Sequence, residues 1–159
     1  MIQRFTFGCP LPTESVVLPV EPAAAAVPHF TAEPDGSWSF SLAEDAVVYG
    51  LGEMPRGINK RGWHYVTDNT DESHHGENRL SYYGAHNFLL IDGGAGRSVF
   101  GVFVDFPGKV FYDIGYTRHD RLTFRTEEPD YDLYILTGDS PNAVCTEFRK
   151  LIGHSYIPP

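Results

Sequence analysis

Hydrophobic and polar residues alternate along this chain in short runs, and glycine, proline or small polar residues separate one run from the next. Nine runs have the length and the β-branched or aromatic content of strands: residues 3–7, 16–20, 38–42, 46–50, 86–91, 99–105, 109–114, 121–125 and 131–136. In NFLLIDGGAGRSVFGVFVD the triplet Asp92-Gly93-Gly94 falls between two of these runs, where a hairpin connection belongs. The spacing predicts an all-β fold, an antiparallel β-sandwich. EPAAAAVP, residues 21–28, is bracketed by prolines and reads as a connection between strands, not a helix.

One segment changes period. In DSPNAVCTEFRKLIGH, Ser140 has the chemistry of an N-cap, Pro141 suits the first helical position, and Gly153 lies just past the end. Between them Val144, Phe148, Leu151 and Ile152 recur at i, i+4, i+7 and i+8, which predicts one C-terminal amphipathic helix over 141–152. The SYIPP that follows is fixed as an extended exit by its prolines.

At 159 residues the chain fits one domain over 1–159 with a substantial core. It is too short for a (β/α)₈ barrel, which takes roughly 250 residues. The net charge of −9, from 12 basic and 21 acidic residues with the basic ones scattered, excludes a nucleic-acid or anionic-membrane surface. No apolar run has the length of a membrane span, and MIQRFTFGCPLP lacks the apolar core of a secretory signal. Cys9 and Cys145 lie near opposite ends without a CxxC spacing and read as free thiols of a cytoplasmic protein.

The most polar stretch is TDNTDESHHGEN, residues 67–78, with carboxylates at Asp68, Asp71, Glu72 and Glu77 and an adjacent His74-His75 pair. Counted from Asp68 as an EF-hand loop, its sixth residue is Ser73 and its twelfth Arg79, so a calcium loop is excluded. Neighbouring histidines on an extended segment face opposite sides, and no HxH or HxxxH pair occurs, so no metal is expected. GLGEMPRG, residues 50–57, lacks the third glycine and the helix of a dinucleotide site, and Gly50 and Gly52 are expected to serve a bulge or tight turn. No GxSxG elbow supports nucleophilic hydrolysis. No cofactor is implied. The aromatics in GWHYVTD and LSYYGAHN flank the polar stretch, an arrangement that suits sugars, whose C–H patches lie on rings while carboxylates and amides meet the hydroxyls.

The strings VYGLGEMPRGINKRG, TDNTD, YGAHNF, GVFVDFP and DYDLYILTGDSPNAVCTEFRKLIGHSYIPP, in that order, resemble the N-terminal region of glycoside hydrolase family 31, and within it bacterial α-glucosidases. The resemblance runs from about Val47 to Pro159; the part before Val47 carries no motif of the family. It implies a galactose-mutarotase-like β-sandwich that precedes a (β/α)₈ catalytic barrel lying beyond this chain. The two aspartates of the retaining mechanism belong to that barrel, so no catalytic residue is expected here and the fragment alone should be inactive. In the family an Asp followed two residues later by a hydroxyl residue touches sugar near the leaving group, and the matching residues here are Asp68 and Thr70. Trp63 and Tyr65 become candidate sugar-contacting aromatics. The implied partners are an α-glucoside oligosaccharide and the chain's own barrel; family members often self-associate, so a homo-oligomer is one option and the oligomeric state stays open. Linkage preference and the roles of His74, His75 and Glu77 stay open.

Two other readings compete. A free-standing carbohydrate-binding module would use Trp63, Tyr65, Tyr82 and Tyr83 as its platform. An aldose epimerase would need a histidine and a carboxylate as paired acid and base, for which His64, His75 and Glu77 are the available residues.

Overall fold

The computed structural model describes residues 1–71 and 73–155. Ten strands precede one helix: β1 (Ile2–Phe7), β2 (Thr31–Ala32), β3 (Trp38–Ser41), β4 (Val47–Gly52), β5 (Trp63–Thr67), β6 (Ala85–Asp92), β7 (Val99–Asp105), β8 (Val110–Ile114), β9 (Arg121–Thr126), β10 (Tyr131–Gly138) and α1 (Pro141–Ile152). They form two five-stranded antiparallel sheets, ordered β1-β10-β7-β6-β4 and β2-β3-β9-β8-β5. The β-sandwich with one C-terminal helix is therefore the observed architecture.

Between the sheets lies the main core. Alternate residues of the first sheet, among them Leu89, Ile91, Val102, Val104, Leu133 and Ile135, meet Tyr65, Val110, Tyr112, Leu122 and Phe124 of the second. The intervening residues of the first sheet point outward, where Phe88, Leu90, Phe103, Tyr134 and Leu136 form a second cluster under Val144, Phe148 and Leu151 of α1. Gly101 permits that approach, because a Cβ there would stand 2.8 Å from a methyl of Val144. The Ser140 hydroxyl caps the helix by accepting from the Ala143 amide at 3.2 Å. Ile152, assigned to the buried face by its spacing, is 37% exposed because the helix ends there and no outward residue of the sheet reaches it.

Eight of the nine expected strands are present, with ends displaced by two residues or fewer. The ninth is not. Residues 16–20 form no strand; they run across the outer face of the first sheet, where Val16 and Val20 join the second cluster. The amides of Val17 and Leu18 donate to the carbonyl of Leu151, closing the helix C-terminus (2.9 and 3.2 Å). Pro19 removes a donor that a ladder through this segment would need. Conversely, β5 and the two-residue β2 were not anticipated. The 92–94 turn does join an antiparallel hairpin, β6 to β7, through residues 93–98.

Gly50 and Gly52 produce a register shift between β4 and β6. Their φ angles are +123° and +68°, and a Cβ at either would lie 2.2 Å from a backbone oxygen, of Phe88 and Gly84 respectively. The dinucleotide-like glycines are thus a β-bulge. The extended exit read at SYIPP lies, from residue 156 on, outside the described residues, as does Glu72.

Candidate functional site

β5 is an edge strand, and the polar stretch leaves from its end. The strand's last residue, Thr67, is buried, and its Oγ1 accepts from the Val110 amide at 3.2 Å. Beyond it the chain folds back on itself. The Val66 amide donates to the carbonyl of Leu80 (3.2 Å), the Asp68 amide to Ser81 Oγ (3.2 Å), and the Thr70 amide to the carbonyl of Tyr82 (3.4 Å). Asn69 Oδ1 accepts from the Ala85 amide at 2.7 Å. These bonds blunt an otherwise open sheet edge and fix the chain at Asp68 and Thr70 through their amides and at Asn69 through its side chain.

The far side of the loop is tied down by Arg56, whose Nε donates to the Glu77 carbonyl at 2.7 Å and whose Nη1 donates to the His64 carbonyl at 2.8 Å. The same guanidinium lies 4.5 Å from the centroid of Trp63. Arg56 holds this position with φ +69°, in the left-handed region that a β-carbon disfavours. Its neighbour Lys60 is buried and donates to the Gly57 carbonyl at 2.8 Å, and burial lowers its pKa.

Of the expected site residues, Asp68 and Thr70 are placed together at the head of the loop, Asp68 partly exposed and Thr70 exposed. Trp63 is 43% exposed, with Arg56 over its ring. Tyr65 is different: it is fully buried between the sheets, and burial pushes its pKa up to about 12. Tyr65 therefore offers no face to a sugar. Strand alternation explains this, since Trp63 and Tyr65 share a face of β5 but only Tyr65 lies deep enough to be covered by the first sheet.

The remaining candidates divide. His64 faces Asp113 (3.7 Å) and packs on Tyr116, whereas His75 lies between Tyr82 and Tyr83, with centroids 4.9 and 5.3 Å away. His64 is thus engaged by Asp113 and Tyr116, and His75 by two aromatic rings. Among the described residues no group of three His, Cys, Asp or Glu side chains could hold a metal ion.

Sequence reasoning missed the other wall of the site. Asp68 Oδ2 accepts from Lys109 Nζ at 2.9 Å, and this bond holds the lysine above its ordinary pKa. The two residues border a cleft of about 500 Å³ that Asn69, Asn87, Asp105 and Glu127 also line, a volume suited to a small ligand. Asp105 accepts from the Thr13 hydroxyl at 2.5 Å, yet burial raises its pKa. Strand register is the signal that could have brought Asp68 to Lys109, but register is not visible before the strands are paired.

Residues 22–113 match the family model of the glycosyl hydrolase 31 N-terminal galactose mutarotase-like domain, and the chain belongs to that family. Among curated proteins it is similar to alpha-xylosidase XylQ of Lactiplantibacillus pentosus, 31% identical over 119 residues, covering 75% of this chain and 15% of the xylosidase. It is also similar to the probable maltase-glucoamylase 2 of Homo sapiens, 30% identical over 126 residues, covering 76% of this chain and 5% of that protein. A solved Flavobacterium johnsoniae family 31 dextranase, in complex with glucose, superposes with a TM-score of 0.69 at 23% identity, over 85% of this chain and 16% of the dextranase. The chain thus spans a small part of the length of each relative. Among the described residues no helix is long and apolar enough to cross a membrane.

Proposed function

We propose that this chain is the N-terminal accessory domain of a retaining glycosidase that hydrolyses α-linked glucosides. In this reading the catalytic (β/α)₈ barrel lies outside the 159 residues, the domain alone is inactive, and the loop after β5 is lent to the barrel's site. Asp68 and Thr70 contact sugar hydroxyls near the leaving group, with Trp63 beside them. The observation that carries this is the construction of the loop head. Two bonds hold its backbone, at the amides of Asp68 and Thr70, and the Asn69 side chain adds a third by accepting from the Ala85 amide, while the Asp68 side chain keeps 38% of its surface open. A carboxylate accepts two hydroxyl bonds and orients a sugar, and binding remote hydroxyls helps position the reacting bond. The protein is cytoplasmic in this reading, in keeping with two free, exposed cysteines, Cys9 and Cys145.

The test is Asp68→Ala in the complete reading frame. On α-linked disaccharides kcat/KM should fall by one or two orders of magnitude, about 1.4 to 3 kcal/mol. Substrates with an activated aryl leaving group make fewer contacts there and should lose less. Equal losses on both substrates with an unchanged melting temperature would move Asp68 to the nonreducing-end sugar, and no loss on either would end the lent-loop reading. A reading frame that stops at Pro159, together with disaccharide binding by this chain, would favour a free-standing carbohydrate-binding module. Trp63 and Tyr83, 43% and 42% exposed, would then be the platform.

A further inference from the structure

We propose that Lys109 is a positioning residue for the sugar-contacting carboxylate, holding Asp68 in its working orientation across the end of the second sheet. The inference rests on the assignment of Asp68 to sugar contact and adds a residue that the polar stretch itself does not contain.

The geometry follows from register. β5 and β8 pair Thr67 with Val110, so one step past the ladder Asp68 lies opposite Lys109. β8 and β9 pair Val110 with Thr126, so the same step sets Glu127 on the other side of Lys109. The Glu127 amide donates to the Lys109 carbonyl at 2.9 Å, which shows that the pairing reaches this row. The result is a line of charges across three strands, negative, positive, negative, at one end of the sandwich and along one cleft. Cross-strand neighbours of opposite charge attract; the ammonium bonds Asp68, while the Glu127 carboxylate accepts from the Lys109 backbone amide at 3.5 Å.

The pair is open to solvent. The side chains of Lys109 and Asp68 are 44% and 38% exposed, and exposed ion pairs add little to stability. The bond acts on geometry instead. An ammonium with three donors takes one carboxylate oxygen and leaves acceptor capacity on the carboxylate for a hydroxyl. Without it Asp68 would sample several rotamers at the start of a loop, and ordering them would oppose substrate binding. Lysine at 109 thus substitutes for the rigidity that burial would otherwise supply.

Lys109→Met and Lys109→Arg, each alone and Lys109→Met also combined with Asp68→Ala, test this in the complete enzyme. Lys109→Met should lower kcat/KM on an α-linked disaccharide about three- to tenfold, mainly through KM, with a smaller loss on an aryl α-glucoside. Lys109→Arg should recover most of the activity, and the double variant should be no worse than Asp68→Ala. The melting temperature should stay within a degree or two of the parent. If Lys109→Met is silent while Asp68→Ala is impaired, the positioning role falls and the sugar-contact reading stands. Additive losses in the double variant would also overturn it, as would equal losses in the Met and Arg variants with a lowered melting temperature. If Asp68→Ala loses nothing, the sugar-contact reading fails and the role of Lys109 falls with it.

Discussion

The two sheets each have five strands, six to eight residues long in the first and two to six in the second, and they bury different numbers of faces. In β7 and β10 five and six consecutive residues are buried, whereas β8 alternates strictly between buried and half-buried positions, and β9 does the same over its first four residues. The cause is the outer layer. The first sheet carries α1 and the 10–20 segment on its outer face; the second presents Asp113, Thr123 and Arg125 to solvent. The sequence reflects this, in YDLYIL against RLTFRT. The covered sheet is thus buried on both faces, while the loop that presents Asp68 and Thr70 springs from the edge of the sheet whose outer face is only half-buried. Edges and uncovered faces can carry polar residues that bind without disturbing a core.

The contrast is broken most severely by uncovering the first sheet. Phe148 stacks on Phe88 at 3.9 Å with nearly parallel rings and meets Phe103 edge-on. Phe148→Ala should cost about 3 to 5 kcal/mol in chemical denaturation. Thr123→Ala on the bare face of β9 should stay within about 0.5 kcal/mol, and a comparable cost at the two positions would end the distinction. A milder probe of the same layer is the helix cap. Ser140→Ala, which leaves the Ala143 amide without its acceptor, should lower stability by about 1 kcal/mol.

The smallest expected effect is a pH dependence at the margin of the covering layer. Burial raises the pKa of Asp105 above its ordinary 3.8, so the folded protein holds that proton more tightly than the unfolded chain does. Stability should therefore fall as pH rises from about 3.8 through the folded-state value, the fall being complete above it. Asp105→Asn should flatten that part of the stability profile and leave the variant slightly more stable at neutral pH. A profile as steep as the parent's would mean that the shift does not arise at Asp105.

Some of this was legible beforehand. The helix bounds, its cap and the Gly50–Gly52 bulge follow from local chemistry, because a proline, a capping hydroxyl and a positive φ each act within a few residues. The family resemblance pointed to Asp68 and Thr70, but their loop head is built from bonds to Ser81, Tyr82 and Ala85, more than ten residues away. Residues 16–20 looked like a strand because the pattern does not distinguish an apolar segment that pairs from one that only covers. β5 was not anticipated, because WHYVT was read only as aromatics flanking the polar stretch, yet its Tyr65 is a core residue and its edge is closed by the returning loop.

The chain by itself determined the class of fold, the one helix and the polar character of the loop, since these depend on periodicity, propensity and composition over short windows. Tertiary structure decided which of two aromatics on one strand face is exposed, which apolar segment covers a sheet and which lysine meets Asp68. Burial and register depend on partners 40 or more residues away, as the pairing of Asp68 with Lys109 shows. Alternation sets the side to which a residue points, and only the packed sheets set what it finds there.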